Sequence, residues 1–214
     1  MNLPRILLAC LAATPALFAA EPVKSVSPDA ALAILQAGNQ RFVTSKTPDG
    51  KSEAVRRAET AQTQHPFAIV VGCADSRTAP ELVFDQHVGD LFVVRVAGNL
   101  AGEHALGSIE YAVEHLGTRL IVVLGHERCG AVQAALTTAT APGNVNSLVR
   151  DIQPAVKATK GKPGDRLALT VKENAQQVAA KIRREAKLGE LAKHVRVVVG
   201  VYDLDTGKVT WAKE

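Results

Sequence analysis

Four short runs of mostly branched apolar residues constrain this chain most. They are residues 67–72 (Phe67-Ala68-Ile69-Val70-Val71-Gly72), 91–96, 120–125 and 195–201. None alternates polar with apolar, so each reads as a strand buried on both faces, the pattern of a parallel sheet. Between them, residues 107–116, 129–138, 147–158 and 167–187 carry helical spacing, with Pro154 marking a kink or a start. This alternation predicts an α/β fold, a central mainly parallel sheet with helices on both sides. Asp205-Thr206-Gly207 reads as a turn, returning residues 208–211 as an antiparallel edge strand. Near the start, Ser27-Pro28-Asp29 combines a capping serine with a proline suited to the first helical turn. Leu32, Leu35 and Phe42 then give an N-terminal helical arm one apolar stripe, and residues 45–53 read as a loop.

With 214 residues, 47% of them hydrophobic, the chain suits one globular domain with a full core. Aromatic residues make up 4%, too few for base-stacking recognition of single strands. The formal charge of +4 is spread without a run of five or six like charges, so no nucleic-acid partner is expected.

Residues 1–20 differ from the rest. Arg5 precedes an apolar stretch over residues 6–13, Pro15 interrupts it, and Ala19-Ala20 ends it. This is the pattern of a secretory signal, too short to span a bilayer. It predicts an exported protein, most simply periplasmic, with residues 21–214 as the mature domain and no membrane attachment after cleavage. Leu7-Leu8-Ala9-Cys10 offers a faint lipoprotein-like alternative. Cleavage removes Cys10 and leaves Cys73 and Cys129. In an oxidising compartment, two cysteines raise the competing reading of a single disulfide.

Ligand sites in open α/β sheets form at the carboxyl ends of strands. Two of the runs end in metal-capable residues: Cys73-Ala74-Asp75-Ser76-Arg77 after the first, and His126-Glu127-Arg128-Cys129-Gly130 after the third. Two thiolates, an imidazole and a carboxylate suit zinc, a borderline-soft ion with a tetrahedral preference. His126 and Cys129 sit across a strand-to-helix turn, and a helix start favours the Cys129 thiolate. In extended backbone Asp75 and Arg77 share a side, within reach of a bidentate ion pair.

These two segments resemble the paired zinc motifs of the β-class carbonic anhydrases. The likeness extends to Phe84-Asp85-Gln86, to residues 89–95 with Ala97-Gly98-Asn99, to residues 107–112 and to Tyr202-Asp203-Leu204-Asp205-Thr206-Gly207, and so covers about residues 28–212. The resemblance implies reversible hydration of CO2 to bicarbonate and a proton through a zinc-bound hydroxide. It implies one zinc per chain, held by Cys73, His126 and Cys129. Asp75 then either takes the fourth zinc position or turns to Arg77 and leaves it open. Gln86 is a candidate polar contact for the substrate. The family implies a homodimer or homotetramer, with N-terminal helices wrapped over a neighbouring subunit. One subgroup, locked by a second bicarbonate, has a tryptophan three residues before its first zinc cysteine. Val70 stands there, so that form of inhibition is not expected. Alternative readings are a hydrolase of carbonyl sulfide or carbon disulfide, a non-catalytic zinc or bicarbonate binder, and a disulfide-stabilised binding protein.

Overall fold

A computed structural model of the chain describes residues 25–45 and 52–213. The expected signal segment, residues 1–20, lies outside the described residues. Among those described, no helix is long and apolar enough to cross a membrane.

The four apolar runs form strands β1 (Ala68–Gly72), β2 (Leu91–Arg95), β3 (Leu120–His126) and β4 (Arg196–Tyr202). A short β5 (Val209–Trp211) follows the predicted turn. The sheet order is β2-β1-β3-β4-β5, parallel throughout except for the antiparallel β4–β5 pair. The expected α/β architecture is therefore present, including the C-terminal edge strand. One expectation fails: β2 is not buried on both faces but is a half-exposed edge strand. An apolar run does not reveal that a strand lies at the rim.

Alternate residues of each strand enter different cores, as the period of two requires. Ile69, Val71, Ile121, Val123, Val197 and Val199 face one side. There they meet α4 (Glu103–His115), α5 (Gly130–Thr137), α6 (Val145–Ala158) and α7 (Arg166–Glu185). Ala68, Val70, Leu120, Val122 and Val198 face the other side. They pack against α1 (Pro28–Val43) and the Val83-Phe84 end of α3 (Pro80–Val83).

Helix α1 starts as read, with the Ser27 side chain accepting from the Ala30 N–H and Pro28 in its first turn. Leu35 is fully buried on the chain's own sheet, whereas Phe42 at the far end of the stripe is exposed. Three differences from the sequence reading have local causes. The expected loop 45–53 gives way to helix at its far end, where Ser52 caps α2 (Glu53–Thr60); residues 46–51 lie outside the described residues. That helix buries no residue, so no apolar stripe announces it. Helix α4 begins at Glu103 rather than Gly107, because the Gly107 position faces open space and a glycine there does not end the helix. Pro154 lies inside α6, which begins at Val145, so it is no start signal.

A buried asparagine, not flagged by sequence reading, joins the two ends of the domain. Asn39 Nδ2 donates to the carbonyls of Val83 (3.0 Å) and Gly207 (2.8 Å), and its Oδ1 accepts from the Val209 N–H (2.9 Å). Gly38 beside it lets α1 lie against the Phe84 carbonyl, where a Cβ would come within 1.8 Å. Asn39→Ala strands these three backbone groups. It is expected to cost about 2–4 kcal/mol in urea unfolding, and a change below about 0.5 kcal/mol would show that α1 is held by apolar packing alone.

Candidate metal centre

The chain passes from β1 to β2 on one side of the sheet and then places β3 on the other side of β1. The gap beyond the carboxyl ends of β1 and β3 is therefore the topological switch point, where open α/β sheets bind ligands. Cys73 directly follows β1 and His126 is the last residue of β3.

Cys73, His126 and Cys129 are all buried. Their donor atoms lie within 4.8 Å of one another, so the three residues could hold a metal ion. Neither Cys73 nor Cys129 is in a disulfide. A tetrahedral zinc with bonds of about 2.0–2.3 Å separates its donors by roughly 3.3–3.8 Å, within that spread. The His126 ring supplies the test of fit. Its Nδ1 lies 2.8 Å from the Glu127 carbonyl, which can only accept, so Nδ1 carries the proton. Nε2 is then a bare lone pair, and it is buried without a hydrogen-bond partner. A histidine fixed in this tautomer by a backbone carbonyl is prepared as a metal ligand. The donor set, the buried orphan lone pair and the spacing all fit zinc.

The two thiols share a proton unequally. Cys129 donates to Cys73, and with the Gly98 N–H this holds the Cys73 thiol well below the usual thiol range. Cys129 is pushed up, first by its hydrogen bond to Cys73 and then by burial. Cys129 is the N-cap of α5, the helix start expected to favour its thiolate.

Asp75 and Arg77 meet, though not through extended backbone. Residues 75–78 form a turn, and Asp75 Oδ1 accepts from the Arg77 backbone N–H (3.0 Å) as well as from Arg77 Nε (2.9 Å). Oδ2 accepts from a terminal guanidinium nitrogen at 2.7 Å. This grip holds the Asp75 carboxyl well below the usual carboxylate range. Asp75 is not one of the three clustered donors, and its Oδ2 stands 3.9 Å from His126 Nε2.

The loops carrying these groups are braced from neighbouring elements. Arg95, at the end of β2, donates to the backbone carbonyls of Cys73 (2.8 Å) and Asp75 (2.6 Å). Arg128, between His126 and Cys129, adopts φ 49°, a left-handed conformation that costs free energy for a non-glycine residue. A bidentate pair with Asp205, both contacts at 2.8 Å, and a Glu127 N–H to Tyr202 carbonyl bond (3.0 Å) tie this turn to the β4–β5 hairpin. The segment 202–207 thus supports the loop that carries His126 and Cys129, a role its sequence alone does not disclose. Gln86 donates to the Phe84 carbonyl at 2.6 Å, and His87 pairs with Glu53 on α2 at 2.6 Å.

A family model described as carbonic anhydrase matches residues 68–209. The chain belongs to the carbonic anhydrase family. It is 40% identical over 191 residues to carbonic anhydrase 2 of Mycobacterium tuberculosis, covering 86% of this chain and 92% of that one. The carbonic anhydrase of Mycolicibacterium smegmatis is 40% identical over 192 residues, with the same coverage. Among solved structures, the Coccomyxa β-carbonic anhydrase in complex with acetazolamide is 26% identical, with a TM-score of 0.68 over 86% of each chain. The β-carbonic anhydrase of Aspergillus fumigatus shares the fold, with a TM-score of 0.69 at 21% identity, covering 85% of this chain and 90% of that one. The protein is accordingly a carbonic anhydrase of the β class.

Proposed function

We propose that this carbonic anhydrase hydrates CO2 reversibly to bicarbonate and a proton at one zinc ion per chain, held by Cys73, His126 and Cys129. The observation that carries the assignment is the bare, buried Nε2 of His126 facing two buried thiols. Zinc supplies the Lewis acidity that turns water into a nucleophile. Cys73 and Cys129 contribute negative charge, and His126, fixed through Nδ1, contributes a neutral lone pair.

Asp75 is the orienting group. Arg77 occupies one lone pair of Oδ2, and the remaining one accepts a hydrogen bond from the attacking water, aiming its lone pair at CO2. Since Arg77 keeps Asp75 ionised through the neutral range, Asp75 orients without storing the proton, which leaves to solvent. Asp75 gains acidity on folding, so its contribution is present above the ordinary carboxylate range and fades only in strong acid. An acid limb near neutral pH therefore does not come from Asp75.

Two thiolates and an imidazole bring two negative charges to a divalent ion, where three imidazoles would bring none. This donor set acidifies water less, so hydration is expected to rise toward alkaline pH. Stopped-flow CO2 hydration across pH 6.5–9.5 tests this, and a flat or falling profile would contradict it. Export to the periplasm and assembly into homodimers or homotetramers belong to the same reading. It is supported by the signal-like residues 1–20, by the half-exposed β2 edge, and by the fold shared with tetrameric β-carbonic anhydrases of Sordaria macrospora, 20% identical with a TM-score of 0.63.

A further inference from the structure

A line of buried polar groups runs from α7 to the Cys73 sulfur. Cys73 Sγ accepts from the Gly98 N–H at 3.2 Å. Gly98 has φ 73° in the tight turn Ala97–Asn99, and a Cβ there would come within 2.9 Å of Ile152 Cδ1. The missing side chain therefore allows this amide its position. The far end of the residue is held as well: the Gly98 carbonyl accepts from Asn174 Nδ2 at 2.8 Å. Asn174 is 2% exposed, on the α7 face that also buries Val171, Ala175 and Val178. An amide side chain on such a face costs free energy unless its hydrogen bonds are made. An aliphatic residue would fill the position without that cost, so the amide calls for an explanation beyond packing.

We infer that Asn174 is a positioning residue for the metal centre. By anchoring the Gly98 carbonyl it keeps the Gly98 N–H on the Cys73 sulfur, and so sets both the place of that thiolate and the charge it offers the metal. The inference rests on the reading of Cys73 as a ligand. A hydrogen bond to a thiolate lowers the energy of its lone pairs, and outer partners of this kind typically tune metal affinity about 10–100-fold.

The test uses the mature chain loaded with cobalt(II), whose sulfur-to-metal charge-transfer bands report the thiolates, and a competing chelator to measure zinc affinity. Asn174→Leu fills the space without a donor, and Asn174→Ser leaves space and is too short to reach the carbonyl. A change common to both belongs to the missing donor. Thr170→Val is the control: Thr170 is buried one turn earlier on α7 and bonds to Thr159 Oγ1 and the Arg166 carbonyl. Both Asn174 variants are expected to move the bands to longer wavelength and to weaken zinc binding about tenfold or more, while Thr170→Val matches the wild type in both readouts. Unchanged bands and affinity in the Asn174 variants, or an equal change in Thr170→Val, would overturn the inference while leaving the ligand assignment intact. Absence of sulfur-to-cobalt bands in the wild type would remove the ligand assignment, and this inference with it.

Discussion

Arg77→Ala is expected to lower CO2 hydration about 100-fold or more while zinc stays bound. The side-chain hydrogen bonds of Arg77 go to Asp75 and not to the three donors. It holds Asp75 through two side-chain contacts, at 2.9 and 2.7 Å. Without them the carboxylate is free to turn toward the cation and compete with water there. Either outcome, a blocked position or a misaimed acceptor, removes the orientation of the attacking water. The Arg77 side chain is about half exposed, so the fold should tolerate its loss. The check pairs stopped-flow hydration with metal analysis: one zinc per chain and a collapsed rate are expected. Full activity would remove Arg77 from the mechanism. Loss of zinc would make it a structural support of the centre instead.

The second large effect is at a donor. Cys73→Ser replaces a thiol whose surroundings favour the thiolate with an alcohol that stays protonated and binds zinc poorly. Loss of one of three protein ligands is expected to weaken zinc binding by roughly 1,000-fold or more, and activity should fall to background. Zinc bound only to the folded chain also stabilises it, so the variant should lose thermal stability on the order of 10 °C at micromolar zinc. A serine variant that keeps its zinc and most of its activity would exclude Cys73 from the ligand set.

The sheet was legible because its strands are nearly pure apolar runs, and the donors were legible because they sit where such runs end. The helix pattern failed where the physical signal is missing. Helix α2 has no buried face, Gly107 lies on a surface that tolerates glycine, and an edge strand such as β2 has the same composition as a central one. The Asp75–Arg77 pairing was anticipated from an extended segment, but a tight turn produces it. The long-range supports of the fold and of the site were not legible. Asn39, Arg95, Arg128 and Asn174 are ordinary polar residues whose partners lie 20 to 170 positions away, and only the folded chain brings them together.

The most direct measurement follows CO2 hydration by stopped flow at pH 8.5 on the mature chain as isolated, after removal of metal by a chelator, and after readdition of zinc, with zinc and free thiols counted at each stage. The account predicts one zinc per chain at the start, loss of hydration as zinc leaves, two titratable thiols in the stripped protein, and recovery on zinc alone. A chain that hydrates CO2 equally well without metal, or that is isolated without zinc and with a Cys73–Cys129 disulfide, would contradict it.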